Sequence, residues 1–154
     1  MRESAVKAAF LYRFASYVDW PAGTFARPAD PLVMGVLGND AVATELEDLV
    51  IRRQVGERPV VVRRLREGDL QGHVHIVMIG ATRVGRLRQL AAQVQGPVLL
   101  VTEQDSGLAA GGVLNFVLDG SRVRFAASQG AAEARGLRLS SRLLAVALYV
   151  EGSY

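Results

Sequence analysis

Residues 32–54 read LVMGVLGNDAVATELEDLVIRRQ, and they decide the fold. Leu32 through Leu37 form a continuous apolar run, the mark of a strand covered on both faces. Gly38-Asn39-Asp40 breaks that run. Val42, Leu46, Leu49 and Val50 then return at helical spacing over residues 41–54, with Asn39 or Asp40 as the cap. A buried strand that gives way to an amphipathic helix within three residues is the repeating unit of parallel α/β folds.

The unit recurs downstream. Residues 59–65 (PVVVRRL) and 73–79 (HVHIVMI) read as strands, Gly80-Ala81-Thr82 leads into a helix over 83–95, and residues 97–102 (PVLLVT) supply a further strand. Upstream, Ala5, Ala8, Ala9, Leu11, Tyr12, Ala15, Ser16 and Val18 keep helical spacing. This predicts a first helix of about 15 residues with Ser4 as N-cap and Trp20-Pro21 as its stop. Three of the five prolines fall in or beside residues 22–31, which read as a loop.

The last third changes character. Residues 113–118 and 122–127 flank Asp119-Gly120-Ser121, a tight-turn signal that predicts an antiparallel hairpin. A short helix over 129–135 stops at Gly136, and Ser140 or its neighbour caps a final helix through Leu148. The expected fold is α/β. It is a three-layer single domain over residues 1–154, with a mixed, mostly parallel sheet of about six strands, helices on both faces and a C-terminal antiparallel hairpin.

Composition narrows the function. Half of the 154 residues are hydrophobic, which argues for a packed globule and against disorder. No apolar run reaches the roughly 18–20 residues of a membrane span, because Arg13 interrupts the first helix and Arg138 and Arg142 the last. The net charge of +3 rests on 17 Arg and one Lys against 15 acids. The densest basic cluster, Arg52, Arg53, Arg58, Arg63, Arg64 and Arg66, is broken by Glu57, Glu67 and Asp69. It lacks the interleaved aromatics that would stack bases, so no nucleic-acid partner is expected. With no cysteine, thiol chemistry and disulfides are excluded.

Catalytic and cofactor constellations fail one by one. Gly80-Ala81-Thr82-Arg83-Val84-Gly85 follows a strand and opens a helix. It lacks the Lys and Ser/Thr of a phosphate loop, and no dinucleotide fingerprint follows either early strand. His73 and His75 alternate on a strand and share a face, but a metal needs a third ligand, which here would be a distant carboxylate such as Glu103 or Asp105. Ser140 and Ser141 lie in no nucleophile elbow and suit helix capping better. No catalytic residue, metal or cofactor is expected. A ligand pocket, if present, is expected at the carboxyl ends of strands 32–37 and 73–79, with arginine for an anion.

Two end motifs carry a family resemblance. KAAFLYRFASYVDWP (residues 7–21) and AAEARGLRLSSRLLAVA (residues 131–147), together with Gly111-Gly112 and the RVRF strand, resemble the YfiR-like family of small periplasmic regulatory proteins. The resemblance spans nearly the whole chain and marks Phe10, Phe14, Trp20, Pro21, Gly111, Gly112, Gly136, Ser140 and Ser141 as structural motif positions. It implies a non-enzymatic, homodimeric inhibitor that binds the periplasmic domain of an inner-membrane diguanylate cyclase and lowers cyclic di-GMP. An outer-membrane lipoprotein that sequesters the inhibitor, and restraint of biofilm formation, are implied with it. Export is implied too, so the chain is expected to be a mature region whose leader has been left out. The absence of cysteine departs from relatives that carry disulfides. The family engages its partner through an apolar surface, for which Phe116, Phe125, Leu137 and Leu139, flanking the hairpin and the helix break, are the expected residues. A ligand-sensing module acting on another membrane receptor, such as a sensor kinase, is the alternative.

Overall fold

The computed structural model describes residues 2–152. In chain order its elements are α1 (Glu3–Phe14), β1 (Val18–Asp19), β2 (Leu32–Leu37), α2 (Asp40–Val50), β3 (Gln54–Val55) and β4 (Arg58–Leu65), followed by a 3-10 turn at Glu67–Asp69. The remainder are β5 (Ile76–Ile79), α3 (Val84–Gln93), β6 (Leu99–Thr102), β7 (Leu114–Asp119), β8 (Arg122–Ser128), α4 (Gln129–Ala134), β9 (Arg138–Leu139), α5 (Ser141–Val146) and β10 (Val150–Glu151).

Eight strands form the main sheet in the order β10–β8–β7–β6–β5–β2–β4–β3. The pairs β4/β2, β2/β5, β5/β6, β6/β7 and β8/β10 are parallel, while β7/β8 and β3/β4 are antiparallel. All six residues of β2 are buried, as are all four of β5 and of β6, which is why these strands read as unbroken apolar runs. The chain leaves β2 through α2 in one direction along the sheet and leaves β5 through α3 in the other. Right-handed crossovers therefore put α2 and α3 on opposite faces, and α1 packs beside α2. The expected α/β fold with helices on both faces is present, with eight strands in the sheet where about six were expected.

The first helix is shorter than its periodicity predicts. It starts without a side-chain cap at Arg2, not at Ser4, and ends at Phe14, well before Pro21. Val18 and Asp19 instead pair with Leu139 and Arg138 in a separate two-stranded antiparallel sheet. Local spacing cannot register that pairing, because the partner lies at the far end of the chain. The third strand likewise begins at Ile76, so His73 and His75 precede it; their rings still lie together, with centres 5.0 Å apart as the alternation predicts, His73 exposed and His75 buried.

The hairpin forms as expected, with Phe116 opposite Phe125 and Asp119 opposite Arg122. Its two-residue loop places Gly120 at φ 64°, the first central position, where such loops call for glycine. After α4 the chain turns through a Schellman motif. The Gly136 N–H donates to the Glu133 carbonyl and the Leu137 N–H to the Ala132 carbonyl, with Gly136 at φ 74°. Ser140 then caps α5, its Oγ accepting from the Leu143 N–H at 3.2 Å, whereas Ser141 is simply the first helical residue and is exposed.

Candidate functional site

The strand order reverses direction between β2 and β5, and in open α/β sheets that reversal leaves a ligand crevice at the carboxyl ends of the strands. Here the chain fills the crevice itself. The carboxylate of Glu103, the residue after β6, accepts from Lys7 Nζ at 2.7 Å, from Asn39 Nδ2 at 2.9 Å and from the Ala81 N–H at 3.3 Å. Lys7 also reaches Glu3 at 2.6 Å and lies 5.9 Å from the centre of the Phe116 ring. Burial opposes the Lys7 ammonium, but hydrogen bonds and charge from Glu103 and Glu3 outweigh it and raise its pKa above the ordinary lysine value.

Backbone closes what remains of the crevice: a Cβ on Gly80 would stand 2.3 Å from the Gly38 carbonyl oxygen. A carboxylate of the chain thus sits where an arginine-held anion was expected, and the expected location of a ligand pocket is corrected. His75 is spent structurally as well. Its Nδ1 accepts the Val33 N–H at 3.0 Å, and burial, with the nearby charges of His73 and Arg58, lowers its pKa to about 4. Among the described residues no three His, Asp or Glu side chains gather as a metal would require.

The four residues expected to form an exposed apolar patch are in the core. Phe116, Phe125, Leu137 and Leu139 are each no more than 8% exposed, so the expected accessible patch is corrected. The reason is a four-ring cluster: Phe10 and Phe14 of α1 pack on Phe116 and Phe125 of the hairpin with ring centres 5.1–6.0 Å apart. Leu137 follows the Schellman turn inward, and Leu139 is held there by the β1 pairing. Trp20 is half-buried, packed edge-on against Phe25, while Pro21 is exposed. Gly111 adopts φ 121°, and a Cβ on Gly112 would lie 2.5 Å from Thr102 Oγ1, so this pair is a close-packed turn.

An accessible apolar surface lies next to that cluster. A cavity of about 390 Å³ opens between α1, β8 and α5, with Phe14, Phe125 and Leu143 buried in its wall and Arg13 and Arg142 exposed at its rim. Val146, at its edge, is 59% exposed, and Leu148, Tyr149 and Val150, which lead the chain into β10 at the edge of the sheet, are exposed as well. The missed residues had a signal in the apolar tail AVALYV (residues 145–150). Read as the end of a longer helix, that tail should have buried one face; α5 in fact stops at Val146.

No curated protein matches the chain. No helix among the described residues is long and apolar enough to cross a membrane. A family model described as YfiR/HmsC-like matches residues 4–148. That match runs from the start of α1 to just beyond α5, taking in both end motifs, the plugged crevice and the apolar cavity, and so the chain belongs to the YfiR/HmsC-like family of periplasmic regulators of diguanylate cyclases.

Proposed function

We propose that this protein binds the periplasmic domain of an inner-membrane diguanylate cyclase and holds it inactive, keeping cyclic di-GMP low and restraining biofilm formation. The single observation that carries the reading is the family match over residues 4–148. The structure supports it with an apolar cavity bordered by exposed Val146, followed in the chain by the exposed Leu148, Tyr149 and Val150; exposed apolar groups of this kind mark interaction surfaces. Phe125 contributes to binding as part of the cavity wall, and Phe116, Leu137 and Leu139 by supporting that wall from within.

No chemistry is needed. A repressor that prefers the inactive receptor by about 3 kcal/mol changes the active-to-inactive ratio by about a hundredfold at saturation. Release follows when an outer-membrane lipoprotein competes for the repressor. The protein acts as a homodimer, and light scattering at high concentration should show twice the monomer mass; a monomer throughout would remove the dimer.

Binding is tested by titrating the purified protein against the cyclase's periplasmic domain. The double variant Val146→Asp/Leu148→Asp should stay folded, because both side chains are exposed, and should lose binding at least about tenfold. Unchanged affinity would place the interface elsewhere.

A further inference from the structure

A second cavity, of about 570 Å³, lies at the amino ends of the parallel strands. It is far along the sheet from the plugged crevice and is separated from the apolar cavity by the turn that ends α1. Val18, Asp19, Trp20, Leu32, Val55 and Arg58 line it, and the loop over residues 20–31 folds across it. Beside it is a compact aromatic stack. The Arg58 guanidinium sits 3.5 Å from the centre of the Phe25 ring, and the His75 ring stacks on Phe25 at 4.4 Å. Trp20 meets Phe25 and His75 edge-on, with ring centres 6.1 and 6.4 Å away.

This packing leaves hydrogen-bond donors without acceptors. Since His75 Nδ1 accepts the Val33 N–H, the ring proton is on Nε2, which is buried and has no partner among the described residues. Trp20 Nε1 is in the same condition. Both nitrogens are buried, and His75 does not line the cavity; the donor that does line it and still lacks acceptors is Arg58. Arg58 uses Nη1 to hold the Arg27 and Asp30 carbonyls at 2.9 and 3.0 Å. Its Nε and Nη2 donate to nothing among the described residues, and no carboxylate among them pairs with it.

We propose that this cavity binds a small organic monocarboxylate with an apolar body. Arg58 takes the charge through its free Nε and Nη2, Trp20 and Phe25 wall the site, and Val18, Leu32 and Val55 cover the hydrocarbon. The volume is that of a small-molecule site. Asp19 at the same wall repels a second negative charge, which selects against dicarboxylates and phosphate. The site goes beyond the regulatory reading and stands or falls without it.

Trp20 is the single tryptophan of the chain, so its emission reports on this cavity directly. The purified protein is titrated with benzoate and hexanoate, and with benzamide and inorganic phosphate as comparators. A saturable change is expected with at least one carboxylate, with benzamide and phosphate weaker by about tenfold or more. R58Q should weaken carboxylate binding by a similar factor, D19N should tighten it by removing a like charge, and R142Q, at the other cavity, should leave it unchanged. No saturable response to either carboxylate up to tens of millimolar would overturn the proposal, as would benzamide or phosphate binding equally well. So would a folded R58Q with wild-type affinity. If R58Q does not fold, D19N decides, and unchanged affinity in that variant counts against the site.

Discussion

His75 enters the fold as an acceptor, and acid is what threatens it. Its Nδ1 takes the Val33 N–H, and its own backbone carries the ladder on between Val33 and Leu99. With the folded pKa lowered to about 4 by burial, and the unfolded value near the ordinary 6.5, the unfolded chain binds the proton first as pH falls. Stability is therefore full above pH 6.5 and declines as pH drops toward 4, by on the order of 2–3 kcal/mol. Urea midpoints across that range should show the decline in the wild type and a smaller one in H75Q; an NMR titration placing His75 near 6.5 would contradict it. Lys7 has the opposite sign. Its raised pKa gives stability that is present below the ordinary lysine value and lost as pH rises through the raised one. Replacing it by Met leaves the Glu103 carboxylate buried beside α1 without its cation, a change expected to cost about 3 kcal/mol at neutral pH, with part recovered in K7M/E103Q. Denaturant unfolding of the two variants is the check; a loss below about 1 kcal/mol would mean that Asn39 and the Ala81 N–H suffice for the carboxylate.

At the scale of elements, short helices depend on their ends. α5 is only six residues long, and Ser140 Oγ satisfies one of its orphan N–H groups. Ser140→Ala should cost about 1 kcal/mol in thermal unfolding, while Ser141→Ala, at an exposed first position, should cost little. The end of α3 is held from outside, by the Arg135 guanidinium donating to the Val94 carbonyl at 2.7 Å and the Ala91 carbonyl at 3.4 Å. Elements whose determinants are local were legible in the sequence. The apolar run of β2, the Asn39 cap of α2, the Gly120 hairpin loop and the Gly136 stop each follow from a few adjacent residues. Elements defined by a distant partner were not. Val18 keeps helical spacing yet pairs with Leu139, and the two residues of β10 become a strand only because Ala127 and Ser128 lie alongside.

At the scale of the molecule, the fold class was readable because strand-to-helix alternation dictates a parallel sheet, while the site was not. Phe116, Phe125, Leu137 and Leu139 are apolar at positions that suit either a core or a surface. Only the packing of α1 over the hairpin sends them inward and leaves the tail from Val146 to Val150 outside. The same tertiary logic brings Glu103 to the crevice between β2 and β5, closing a place where a doubly wound sheet would ordinarily receive a ligand. What remains open is an exposed apolar surface at one edge of the sheet and a cavity with Arg58 in its wall at the amino ends of the strands. The most direct test of repression is cellular cyclic di-GMP in the encoding bacterium with the gene deleted, and then complemented with wild type or with Val146→Asp/Leu148→Asp. Deletion should raise the level, and the wild type should reverse that rise while the double variant does not; an unchanged level on deletion would contradict repression.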